Sequence, residues 1–320
     1  MARGASREER ERQRREWPPE PEPLPHPLVD DHTHLDHPAP GATGFDGGPT
    51  PPSLAAQVER AERAGITRMV QVGCDLPAAR WTADVVRVRD GVPDHPALLG
   101  AVALHPNEAP LHAGVREVGP DGLEPAPHEH HEVPLDDALA QVEALARGSE
   151  RIRAIGETGL DFFRTGERGR EVQRASFRAH LALAKELGLA LQIHDRDAHD
   201  DVLDVLERDG APERTVFHCF SGDAAMARRC AERGWYLSFA GTVTFGAADG
   251  LREAVRAVPL SQVLLETDAP YLTPHPYRGR PNAPYLVGVT ARSVAATLDV
   301  DLVTLCRTVW RTAEQVYGPW

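Results

Sequence analysis

Residues 28–36 read LVDDHTHLD: a short apolar start, two acids, then histidines two positions apart. Residues at i and i+2 of a strand point to one face, so His32 and His34 can reach one ion together. Seven further stretches share that build, apolar or β-branched with a polar end. They are TRMVQVGC (67–74), ALLGAVALH (97–105), IRAIGETG (152–159), LALQIHD (189–195), RTVFHCF (214–220), WYLSFAG (235–241) and QVLLETDAP (262–270). Amphipathic stretches separate them at 53–64, 78–89, 135–147, 169–187, 199–209, 223–233 and 251–258, with two more at 287–298 and 301–317. Eight strands alternating with helices predict a TIM (β/α)8 barrel, one domain over residues 27–320. An open doubly wound sheet would carry a glycine-rich phosphate fingerprint after its first strand, and the sequence has none.

Composition narrows the partners. The 320 residues carry a formal net charge of −13, which argues against a broad basic surface for gripping duplex DNA. A polyanionic substrate stays possible, because bound cations reverse the local field of a site. No apolar stretch approaches the roughly 18 residues of a membrane helix. The N-terminal charges are not followed by the apolar core of a secretory signal. Cys74, Cys219, Cys230 and Cys306 are scattered, as suits reduced thiols. Cys219, beside His218, reads as a small buried residue rather than a nucleophile. A cytoplasmic monomer is expected.

Two segments lie outside the alternation. Residues 1–26 run from mixed Arg and Glu into a Pro/Glu stretch and read as a disordered extension. Residues 109–134 read as a surface insertion after the third strand. Its His128, His130 and His131 read as part of a solvated loop, with no strand or helix to fix their geometry.

In a TIM barrel, active-site residues come from the C-terminal ends of the strands. There this sequence places His32 and His34, Glu157, His194, His218 and Asp268, on five different strands. His105 ends the third strand and Asp161 follows Glu157. A lone histidine at a strand end is usually structural, and an acid there often caps the next helix. Burying six such groups together without a cation would be costly. The arrangement predicts a metal site.

The ordered blocks LVDDHTHLD, GETGLDFF, QIHDRDA, VFHCFSG, LLETDAPYLTP and PYRGRPNAP resemble those of the TatD family of metal-dependent deoxyribonucleases over roughly residues 28–318. The resemblance implies that His32, His34 and Asp268 hold one divalent ion, His194 and His218 a second, with Glu157 bridging. Amidohydrolases that bridge their ions through a carbamylated lysine are a different case, since the only lysine, Lys185, lies in the helix after the fourth strand. The extension, the insertion and Asp31, which stands where the family has a small residue, depart from the pattern.

The chemistry expected from the resemblance is phosphodiester hydrolysis at two ions about 3.5–4 Å apart. Asp268 serves as general base and His105 as an electrostatic or proton-donating partner. Arg278 and Asn282 grip a substrate phosphate, and Asp161 orients a ligand histidine. Four imidazoles favour zinc, while the family is described as supported by magnesium or manganese, so a site accepting several divalent ions is expected. The substrate expected is the end of a single DNA strand. The alternative is a small-molecule amidohydrolase or lactonase using the same two-metal site. A non-catalytic scaffold would have lost at least one ligand.

Overall fold

The computed structural model describes residues 15–37, 41–48, 50–88 and 97–320. Its strands are β1 (Leu28–Thr33), β2 (Ile66–Gly73), β3 (Ala97–Val102), β4 (Ile152–Asp161), β5 (Ala190–Arg196), β6 (Thr215–Phe217), β7 (Tyr236–Phe239) and β8 (Val263–Leu265). They pair in chain order, every pair parallel. A parallel bridge from Thr33 to Ala269, just past β8, brings the two edges together. The TIM barrel expected from the sequence is the fold observed.

Ten α-helices are described: α1 (Leu54–Arg63), α2 (Leu76–Val88), α3 (Glu108–His112), α4 (Leu135–Arg147), α5 (Glu167–Leu187), α6 (His199–Asp209), α7 (Ala224–Glu232), α8 (Asp249–Arg256), α9 (Val287–Leu298) and α10 (Leu302–Tyr317). Position 89, the predicted end of the second helix, lies outside the described residues. Ser53, Asp223 and Asp301 start their helices by accepting from backbone N–H groups one turn on. Among the described residues, no helix is long and apolar enough to cross a membrane.

Strand residues alternate between two apolar clusters, as a pleat requires. Leu28, Met69, Leu98, Ile155 and Leu191 pack with the helices. Val29, Val70, Leu99, Ala154, Ala190, Val216 and Leu264 form a second cluster with Ala313, Val316 and Tyr317 from α10. A buried polar layer adjoins it: the Tyr317 hydroxyl donates to Asp31, Ser238 donates to Asp31, and Gln192 donates to the Tyr317 oxygen. Asp31, the residue that departs from the family, is thus part of the floor beneath the strand ends.

Two sequence expectations need correction. Residues 15–26 are held on the barrel, while residues 1–14 lie outside the described residues. Trp17 donates to the Thr43 carbonyl, Tyr285 to that of Pro18, and Arg280 to those of Glu16 and Trp17. Leu24 is buried in the core and its N–H pairs with Ala64. A Pro-rich stretch loses little chain entropy on ordering, and its carbonyls are met by arginines from the folded body. The 109–134 insertion is likewise built rather than loose. It begins within α3 and contains a 3-10 turn at Glu129–Glu132, and His131 is buried. Glu117 accepts from the Gly169 N–H, and Asp121 pairs with Arg164, fastening the insertion beside the β4–α5 loop.

Candidate metal centre

The strand ends open into a cleft of about 800 Å³. His34, His105, Glu157, His194, His218 and Asp268 line it, and His32 lies buried beneath. All six predicted ligands, together with His105, therefore converge.

Glu157 occupies the centre. Its Oε1 lies 3.5 Å from His32 Nε2 and 3.6 Å from His34 Nε2. Its Oε2 lies 2.8 Å from His218 Nε2 and 3.0 Å from His194 Nδ1. One carboxylate oxygen thus serves each histidine pair. Asp268 Oδ1 closes the first pair at 3.3 Å from His34 Nε2 and 3.9 Å from His32 Nε2. Gly159, two residues past Glu157, has φ +134°, and a Cβ there would sit 2.1 Å from the His194 carbonyl oxygen. That close approach of β4 to β5 explains the second glycine of GETG.

The imidazoles are presented as ligands are. His34 Nδ1–H donates to the Val72 carbonyl, leaving the Nε2 lone pair facing Glu157 and Asp268. His218 Nδ1–H donates to Glu266, leaving its Nε2 facing Glu157. A carbonyl or carboxylate behind a histidine fixes the tautomer that metal binding needs. Among the described residues, neither ring nitrogen of the fully buried His32 has a hydrogen-bond partner. Such an orphaned group fits a cation among these residues, and the donor set of four imidazoles and two carboxylates suits a first-row divalent ion.

Without a cation, the charges balance through protons. Burial opposes protonation of His34, but Asp268 and Glu157 beside it push it up to about 9. Burial also opposes protonation of His194, but Asp161 and Glu157 raise it to about 9. His218 is raised too, with Glu157 and Glu266 overcoming burial. His32 goes down, through burial and the neighbouring His218. Burial resists ionisation of Glu157, yet His218 and His105 hold its carboxyl well below the usual range.

His105 has a different posture. Its Nδ1 accepts from the Asn107 N–H, so the neutral ring keeps its proton on Nε2, 3.8 Å from Glu157 Oε2. Burial and His194 push it down to about 4, so it is neutral at pH 7. Asp161 lies 3.3 Å from His194 Nε2 and accepts from Asn107. Burial raises the Asp161 carboxyl, but these partners hold it down at about 2.

Arg278 and Asn282 are not brought to the cleft. Arg278 is exposed, its guanidinium 4.6 Å over the Phe245 ring. Asn282 is buried, and its amide donates to the carbonyls of Thr267 and Tyr271 while its oxygen accepts from Ala283. It holds the turn that carries Asp268. Residues missed in the sequence include Glu266, the buried acid behind His218, and Cys74, whose thiol donates to Glu157 Oε1 at 3.2 Å. Arg196 and Tyr271 also line the cleft. Arg196 had a legible signal, since it lies two positions after His194 on β5. Cys219, at φ +42°, gives its N–H to Glu266, and burial pushes its thiol up, so it is no nucleophile.

The histidines of the insertion form a second cluster. His130 Nε2 and His131 Nε2 lie 3.1 and 2.7 Å from the same Glu108 oxygen. The His128 N–H donates to His131 Nδ1, which leaves the proton of the neutral ring on Nε2. His131 is therefore a donor to Glu108, and the group is a hydrogen-bonded fastening rather than a ligand set.

A barrel of this topology, with paired histidines at the end of β1 and a central carboxylate on β4, defines a metal-dependent hydrolase. Residues 29–318 match the model of the TatD related DNase family, and the chain belongs to that family. It is 41% identical to "Uncharacterized metal-dependent hydrolase TatD" of Mycobacterium tuberculosis, covering 91% of this chain and 98% of the relative. It is 31% identical to "Uncharacterized metal-dependent hydrolase YabD" of Bacillus subtilis, over 91% of this chain and 98% of the relative. The crystal structure of the TatD homologue YjjV from Escherichia coli superposes with a TM-score of 0.72 at 26% identity, covering 92% of this chain and 98% of that one.

Proposed function

We propose that the chain hydrolyses phosphodiester bonds at the ends of single-stranded DNA with two divalent ions. His32, His34 and Asp268 would hold one ion, His194 and His218 the other, and Glu157 would lie between them. The observation that carries this reading is the division of the two Glu157 oxygens between two histidine pairs. Magnesium, manganese or zinc would supply Lewis acidity and neutralise charge on the phosphoryl oxygens.

The protein's own groups supply the rest. Burial works against ionisation of Asp268, but His34, His218 and His32 keep its carboxyl below the usual range. It is therefore available as a carboxylate at the cleft surface to take the proton of an attacking water. The His105 Nε2–H, its tautomer fixed by the Asn107 amide, lies 3.3 Å from His194 Nδ1 and 3.8 Å from Glu157 Oε2, and would donate from there to a phosphoryl or leaving oxygen. Asp161 and Glu266 orient His194 and His218. The family description supports a DNA substrate, and a net charge of −13, with only Arg164 and Arg196 as arginines at the mouth among the described residues, favours a frayed or single strand over a wrapped duplex.

The test is end-labelled single- and double-stranded DNA incubated with metal or with chelator. Metal-dependent shortening of the single strand is expected, with Glu157→Ala losing both bound metal and turnover. No shortening, alongside hydrolysis of a lactone or cyclic amide, would move the chemistry to a carbonyl carbon.

A further inference from the structure

The two sides of the cleft differ. On the side of β4 and β5, Arg196 lies two residues after His194, so both side chains leave the strand on one face. Its guanidinium stacks 4.2 Å over the Phe163 ring, and among the described residues it has no carboxylate partner. The neighbouring Arg164 is already paired with Asp121. An unpaired cation is unexpected at a mouth that also presents Asp36, Asp75, Glu108 and Asp195. On the side of β1 and β8, Tyr271 stands 6.0 Å from the His34 ring and is 52% exposed, one of few large apolar side chains left to solvent. Aromatic stacking leaves the guanidinium edge free for a bidentate contact with phosphate.

Resting on the phosphodiester reading above, we propose that Arg196, backed by Phe163, binds the phosphate next to the one being cleaved, and that Tyr271 stacks on a base across the cleft. The substrate is then an oligonucleotide laid across both walls, recognised through two phosphates and a ring, rather than an isolated phosphodiester. Base stacking on one exposed aromatic is tolerant of sequence, so the strand is read by backbone and ring, not by base identity.

The experiment compares four phosphodiesters under metal-saturated conditions: bis(p-nitrophenyl) phosphate, a thymidine dinucleotide, and the same dinucleotide carrying an additional phosphate at its 5′ end or at its 3′ end. The wild type should prefer one of the two phosphorylated dinucleotides over the plain one in kcat/KM. In Arg196→Gln that preference should fall by roughly ten- to a hundredfold, the range for losing a charged hydrogen bond. Arg196→Lys should restore part of it as a point charge without the fork. Tyr271→Ala should lower the ratio of kcat/KM for the plain dinucleotide over bis(p-nitrophenyl) phosphate. A wild type indifferent to the extra phosphate, or an Arg196→Gln variant that keeps the preference, would overturn the assignment of Arg196. A Tyr271→Ala variant with an unchanged ratio would overturn that of Tyr271. Failure of the wild type to turn over any of the four would instead overturn the phosphodiester reading, and this proposal with it.

Discussion

The protons of the metal-free site set a pH dependence with a definite sign. His34 and His194 sit near pKa 9 in the folded chain, against about 6.5 when unfolded. The folded state therefore binds more protons between those values, and the stability these contacts give is complete below about pH 6.5 and lost toward pH 9. Buried Asp30, raised to about 8 chiefly by burial, acts in the same direction. His105 and His180, both lowered to about 4, act in the opposite sense but only below pH 6.5. In chelator, Tm should fall from pH 6.5 to 9. Saturating zinc should flatten or reverse the slope, because the ion takes the place of the imidazole protons. A Tm that climbs through this window in chelator would contradict the protonated His34 and His194.

The elements show what a sequence can and cannot disclose. Asn282 lies in a block that resembles a family motif, and the motif alone does not say which way its amide points. In the fold it serves the carbonyls of Thr267 and Tyr271 on either side of Asp268. Asn282→Ala leaves buried acceptors unmet and should cost roughly 2 kcal/mol of stability, with weaker metal binding because Asp268 loses its support. Chemical denaturation and a metal titration read both effects; unchanged stability with a raised KM for DNA would return Asn282 to phosphate binding. The strands and the six converging ligands were legible because apolar runs ending in His, Glu or Asp follow local spacing. Residues 15–26 and the insertion were not, because their order comes from tertiary partners: Arg280 and Tyr285 for the first, Glu108 and Gly169 for the second. Arg196 escaped although its i+2 spacing from His194 was visible, since only the fold shows that it lacks an acidic partner.

At the scale of the molecule, on the proposed phosphodiester reading, a chain of net charge −13 would attract its polyanionic substrate locally, at the cleft, and not through its surface. Binding of a short single strand should therefore depend weakly on salt. Each neutralised phosphate contributes about −0.7 to the slope of log K against log salt. Fluorescence anisotropy of a labelled oligonucleotide should give a slope no steeper than about −1.4, the equivalent of two phosphates. A slope several times steeper would reveal a basic surface the described residues do not present. The bridge between Thr33 and Ala269 carries one more consequence. His34 and Asp268 stand 3.3 Å apart only because the first and last strands of the sheet have met. On the proposed ligand set, an ion held by both would work as a clasp on the finished ring, and any half-assembled barrel would be left with a fragment of that set. Metal affinity is then a gauge of ring closure, and depletion of metal should act first as a loosening of the seam between β1 and β8.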